Sequence, residues 1–263
     1  MSREVIDSRV AVPGGSLFVR RWSVGHEERP PILLLHDSLG SVEQWRDFPA
    51  ALAAAAASDV VAYDRLGFGR STARLGRPTV DFVRDEAVTS FPALRSALGL
   101  TRFCVFGHSV GGAMALIIAA LSPGACTAVV TEAAQACVEP RTLAGIRAAR
   151  LQFRAPEQFR KLVKWHGEKA GWVLDAWTEV WLSAEFAAWN LDEYLRMITC
   201  PVLAIHGGRD EFGSVEFPRR ITRQVRGPAE QAIWEDCGHV PHREKQDEVL
   251  RVTAGFLTRW ACA

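Results

Sequence analysis

The chain has 263 residues, 48% of them apolar and 23% charged, which fits a folded protein of one or two domains and excludes a disordered tail or a disulfide-stapled miniprotein. Its 31 basic and 30 acidic residues leave a net charge of +1, with no single-sign excess to hold a nucleic acid backbone or an anionic bilayer. No apolar run approaches the roughly 20 residues that span a membrane, and residues 1–10 mix Arg3, Glu4, Asp7 and Arg9 with apolar side chains, so a cytoplasmic protein without a secretion signal is expected.

In chain order, Val10 to Val12 and Leu17 to Trp22 flank Pro13-Gly14-Gly15 and read as a hairpin. Ile32 to His36 reads as a central strand, Pro49 to Ala57 as an alanine-rich helix with proline in its first turn, and Val60 to Asp64 as the next strand. Val83, Ala87, Phe91, Leu94 and Leu98 recur at helical spacing and mark a helix face that covers the sheet. Phe103 to Phe106 is a further strand. It runs into Gly107-His108-Ser109-Val110-Gly111, and a helix-compatible segment, Gly112 to Leu121, follows. Strand, Gly-x-Ser-x-Gly and helix together form the context in which a sharp turn holds a serine exposed and strained, so Ser109 is expected to be a nucleophile.

Another strand ends at Val129 to Thr131, and Pro201 to His206 and Gln231 to Trp234 are read as the last two. Between them the alternation stops. Residues 135–199 carry five of the nine tryptophans, Trp165, Trp172, Trp177, Trp181 and Trp189, in a stretch without a convincing strand, read as an inserted helical cap. Some of these rings fill a core, as aromatics at helical spacing usually do. The cap is expected to supply Trp165, Trp177 and Trp181 to a substrate pocket, with Phe153, Phe159 and Phe186 adding apolar surface. Arg141, Arg147 and Arg150 either meet a carboxylate or form a solvated helix face. The six cysteines, Cys104, Cys126, Cys137, Cys200, Cys237 and Cys262, stand singly and are expected to be reduced and mostly buried.

Tyr63-Asp64-Arg65-Leu66-Gly67-Phe68-Gly69-Arg70-Ser71 resembles the strand end and turn that α/β-hydrolases place before the nucleophile's strand. With the serine motif, and a later acid and histidine in that order, the chain from about Leu17 to Leu257 resembles this family. The resemblance implies a mostly parallel eight-stranded sheet with helices on both faces, a core of residues 1–134 and 200–263, and the cap at 135–199. It also implies a catalytic set of Ser109, Asp210 and His239. His239 stands on the loop after the last strand, and Asp210 on the turn after the strand that begins at Pro201. His242 is the nearest rival base, assigned to surface or capping work. His108 is expected to pack or tune the pocket; His26, His36, His166 and His206 default to structure or solvent. Glu211 is expected to point elsewhere, and Glu132, at an earlier strand end, is a rival acid.

The oxyanion donors implied are the backbone N–H groups of Val110 and Ser38, with Leu39 as the fallback. Asp37 stands where the family usually has glycine, and is expected to turn away and bond nearby backbone. The expected activity is acyl transfer to water on an ester of a small or medium, largely apolar substrate, using no metal or cofactor. Alternatives are a carbon–carbon bond hydrolase, an enol-lactonase and a hydrolase-fold ligand receptor. His108 and Val240 depart from the asparagine and tryptophan usual in the carbon–carbon enzymes. The expected partner is a small molecule, with neither nucleic acid nor membrane, and a homodimer is left open.

Overall fold

A computed structural model describes residues 4–25 and 29–261; His26 and Cys262 lie outside the described residues. The strands are β1 (Glu4–Val12), β2 (Gly15–Ser23), β3 (Ile32–Leu35), β4 (Val60–Tyr63), β5 (Phe103–His108), β6 (Cys126–Glu132), β7 (Val202–Gly207) and β8 (Ala229–Trp234). They form one eight-stranded sheet in the order β1-β2-β4-β3-β5-β6-β7-β8. The first three neighbours pair antiparallel through β2, and every later pairing is parallel. The fold is therefore that of an α/β-hydrolase, a mostly parallel sheet with helices on both faces.

The central strands read as unbroken apolar runs because both of their faces are covered. All residues of β3, β4, β5 and β7 are buried, whereas the edge strand β1 is exposed along most of its length. Alternate residues separate into two cores. Leu33, Leu35, Val61, Tyr63 and Val105 face one layer, and Ile32, Leu34, Val60, Ala62, Cys104 and Phe106 the other. The second layer is closed by α1 (Phe48–Ala56) and, much later, by the chain's last long helix.

On the first layer lie α2 (Phe82–Asp85) and α3 (Phe91–Ala97), joined by a π-helical turn at Glu86–Ser90, and then α4 (Val110–Leu121). Val83, Ala87, Phe91 and Leu94 are buried as their spacing requires, while Leu98 is half-buried at the helix end. Between β6 and β7 come α5 (Pro140–Gln152), α6 (Pro156–His166), α7 (Ala170–Trp181) and the short α8 (Asp192–Leu195). A bridge between Cys137 and Asn190, flanked by the Leu191 N–H bond to Ala136, brings the two ends of this insertion together. At the far corner His166 accepts the Gly69 N–H and donates to the Leu39 carbonyl, each at 3.0 Å, so the insertion is tied to two core loops. The chain ends through α9 (Glu216–Gln224), α10 (Pro241–Glu244) and α11 (Gln246–Trp260). Among the described residues no helix is long and apolar enough to cross a membrane.

Candidate active site

Ser109 sits at the point where β5 becomes α4, with φ of 57° and ψ of −126°. A non-glycine residue reaches such angles only when its surroundings enforce them. Here the enforcement is steric. A Cβ on Gly107 would collide with the Gly111 carbonyl, and one on Gly111 with the Leu35 carbonyl, so the two glycines let strand and helix close up around the serine. The Ser109 N–H is held by the Glu132 carbonyl at 2.8 Å.

The loop after β7 brings Asp210 to the loop after β8, and both Asp210 oxygens lie 2.9 Å from His239 Nδ1. Since carboxylate oxygens only accept, Nδ1 carries the proton and Nε2 is left free as a base. Burial on its own would lower the His239 pKa, but the Asp210 charge and hydrogen bond outweigh it, with Asp37 and Glu211 adding, and the net shift is upward. Burial would raise the Asp210 pKa; the His239 charge and hydrogen bond reverse that, with His206 and the Phe212 N–H helping, and hold it below the usual value.

Ser109 and His239 line one cavity of about 260 Å³. No hydrogen bond joins them among the described residues. The Ser109 hydroxyl instead meets Gln135, whose Nε2 donates to it at 3.2 Å. Gln135 was not singled out by any motif: it is a lone amide in the connection after β6. The other walls come from Thr142, Ile146 and Ala149 on α5, from Trp177 and Trp181 on α7, and from Phe212. A second cavity, about 440 Å³, shares Ser38, Trp177 and Trp181 with the first and continues past Arg65, Arg74 and Glu86. In the sequence Arg65 stands out only as part of the Tyr63–Ser71 motif.

Two backbone N–H groups near Ser109, those of Ser38 and Val110, have no hydrogen-bond partner among the described residues. Val110 opens α4, where free amides and the helix dipole favour negative charge. Leu39, the fallback, is already used: its N–H donates to Asp37 Oδ1 at 3.1 Å. Asp37 thus bonds nearby backbone, yet it also lines the Ser109 cavity. The Asp37 carbonyl accepts Arg65 Nη2 at 2.7 Å and His36 Nδ1 at 2.8 Å, which fixes the peptide whose N–H belongs to Ser38.

Several residues take places other than those expected. His242 is buried, not at the surface: its N–H and its Nδ1, the latter at 2.8 Å, both meet the Glu132 carboxylate. Glu132, buried with that partner, is thereby committed away from His239. His108 does not line the Ser109 cavity; it packs behind His239 and donates Nε2–H to the His239 carbonyl at 2.8 Å. Burial pushes the His108 pKa down to about 4, so the ring is neutral at pH 7 and its 3.6 Å approach to Asp37 is not an ion pair. Trp165 lines neither cavity and lies under Lys164, whose Nζ is 4.5 Å from the ring centre. Glu211, expected to point elsewhere, makes no bond to His239 but does line the cavity. Arg147 and Arg150 are solvated, and Arg141 donates to the Asp210 carbonyl at 3.2 Å. Phe186 packs against Trp181 and Trp189 in the core.

Comparison with known proteins gives a match to the model of the alpha/beta hydrolase family over residues 32–252. A proline iminopeptidase of Lactobacillus helveticus is 24% identical over 97% of this chain and 98% of its own. Among solved structures, the Mycobacterium smegmatis proline iminopeptidase superposes with a TM-score of 0.76 at 20% identity, covering 97% of this chain and 98% of its own. The enol-lactonase of Burkholderia xenovorans LB400 superposes with a TM-score of 0.73 at 21% identity, covering 95% and 100%.

Proposed function

The chain belongs to the alpha/beta hydrolase family, and from that premise we propose that it is a serine hydrolase cleaving a carboxylic ester of a small or medium substrate through an acyl-enzyme. The observation that carries this reading is the imidazole of His239, fixed by Asp210 at 2.9 Å, opening on the same cavity as a serine held at φ of 57°.

In this mechanism the Ser109 hydroxyl leaves Gln135 and turns toward His239 Nε2, a contact of the kind that often closes only when substrate is bound. His239 takes the hydroxyl proton as Ser109 Oγ attacks the carbonyl carbon, and Asp210 stabilises the imidazolium. The N–H groups of Ser38 and Val110 receive the developing oxyanion. His239 then returns the proton to the leaving oxygen, and a water activated by the same imidazole releases the acid. Arg65 and His36, on the carbonyl of the Asp37–Ser38 peptide, hold its N–H in place before the charge forms.

The similarity to proline iminopeptidases along nearly the whole chain favours a second reading, the same acyl transfer on an amide. A fluorophosphonate probe should label Ser109, and short p-nitrophenyl esters should turn over; Ser109→Ala should lose both. A Ser109→Ala variant with undiminished turnover overturns the assignment. Faster hydrolysis of prolyl 4-nitroanilide than of the esters selects the amide reading, and labelling without any turnover selects a ligand receptor.

A further inference from the structure

The cavity beside Ser109 has an uneven charge. Two carboxylates line it, Asp37 and Glu211, and no lysine or arginine does. Neither carboxylate forms a salt bridge with a lysine or arginine among the described residues. Glu211 is exposed and makes no ion pair or side-chain hydrogen bond among the described residues. Asp37 Oδ1 accepts the Leu39 N–H, while Oδ2 faces the neutral His108 ring at 3.6 Å. Two guanidinium groups act on the Asp37 carboxylate only through space, from outside this cavity: Arg65 donates to the Asp37 carbonyl and lines the neighbouring cavity, and Arg243 donates to the Gln44 carbonyl at 2.7 Å. Four aromatic residues, Phe153, Trp177, Trp181 and Phe212, share the rest of the wall with neutral side chains such as Thr142, Ile146 and Ala149.

A carboxylate beside the proposed oxyanion donors opposes the charge that must develop there. That arrangement is costly for a neutral substrate and favourable for one bringing a compensating positive charge. Aromatic faces attract the same group, since a cation over an indole or phenyl ring gains from the ring quadrupole and a quaternary ammonium does so with little desolvation. We infer that this site takes substrates carrying a positive charge, an ammonium or quaternary ammonium group close to the scissile bond, and that Asp37 and Glu211 determine this specificity. The inference rests on the serine hydrolase reading for its chemistry but not for its binding.

Isosteric ester pairs test it. Butyrylcholine against 3,3-dimethylbutyl butyrate places the charge on the alcohol side; the p-nitrophenyl esters of 4-(trimethylammonio)butanoate and 5,5-dimethylhexanoate place it on the acyl side. The expected result is a kcat/KM for the cationic member of at least one pair roughly tenfold above its neutral isostere at low salt. Asp37→Asn, which keeps an acceptor for the Leu39 N–H, and Glu211→Gln should each reduce that ratio, and the double variant should bring it to about one. Equal or faster turnover of the neutral member in both pairs, or a ratio untouched by both substitutions, overturns the inference. Fluorophosphonate labelling of every variant shows that fold and nucleophile survive. Where the wild type neither labels nor turns over any ester, the hydrolase reading falls, and binding of choline against 3,3-dimethylbutan-1-ol to the Ser109→Ala variant, read by tryptophan fluorescence, decides the charge preference on its own. Tighter choline binding that Asp37→Asn and Glu211→Gln weaken supports it; equal binding overturns it.

Discussion

Two histidine–carboxylate pairs lie close together in this protein. His239 Nδ1 sits 2.9 Å from Asp210, and His242 Nδ1 sits 2.8 Å from Glu132. All four side chains are buried or nearly so, and His108 lies between the two rings, about 5 Å from each centre. In both pairs the partner histidine outweighs burial and holds the carboxylate pKa down. What differs is access. His239 opens on the Ser109 cavity, with Phe212 at 4.8 Å, whereas His242 is packed on Trp45 at 4.8 Å and Phe48 at 5.3 Å. The same pairing is thus offered to a substrate in one place and used to pin α10 to the end of β6 in the other. An imidazole on a carboxylate is not by itself a catalytic base; the space in front of its free nitrogen decides.

The largest effect should come from Asp210→Asn, which in the proposed mechanism removes both the tautomer lock and the charge opposite the imidazolium. Turnover of a p-nitrophenyl ester should fall by on the order of 10⁴ with the fold intact by circular dichroism. Glu132→Gln should behave in the opposite way. Its amide keeps an acceptor for the His242 N–H but turns an NH₂ group toward Nδ1, so the ring must change tautomer or lose that contact, at a cost of up to roughly 1–3 kcal/mol, to be read from the midpoint of urea unfolding. A loss of turnover in folded Glu132→Gln as deep as that in Asp210→Asn would erase the distinction between the pairs.

The pH profile sharpens the comparison at smaller amplitude. The base acts when neutral, so kcat/KM should rise with pH through the His239 pKa, which lies above the ordinary 6.5 because the Asp210 charge and hydrogen bond outweigh burial. Asp37→Asn takes away one of the negative charges that favour the imidazolium, so the acid limb should move to lower pH. A limb that stays in place, or moves upward, would mean that another group titrates there.

Much of this arrangement was legible in the sequence, and the rest was hidden for identifiable reasons. The strands announced themselves because a doubly covered parallel sheet demands unbroken apolar runs such as Ile32–Leu35 and Val202–Ile205. Ser109 was legible because the glycines around it are a local steric requirement. The partner of Glu132 was not, because that bond spans 110 residues and depends on where α10 lands. Gln135 carried no motif and Glu211 stood out only as the neighbour of Asp210, and their place on the cavity wall follows from the paths of two connections, not from their own neighbours. In the insertion, aromatic spacing marked helices but could not tell which face of each one looks inward.

That last ambiguity supplies the smallest and most discriminating prediction. Trp165 and Trp181 are equally conspicuous in the sequence, but Trp165 lies beneath Lys164 away from both cavities, while Trp181 is buried, borders both of them and packs on Phe186 and Trp189. Trp165→Ala should change ester kcat/KM by no more than about twofold, the scale of a surface substitution. Trp181→Ala empties a core position and should cost about 3–5 kcal/mol of stability on unfolding in urea. A tenfold loss of kcat/KM in Trp165→Ala, with its unfolding midpoint unchanged, would place a substrate contact on α6 and require the insertion to close further over the site than the geometry described above.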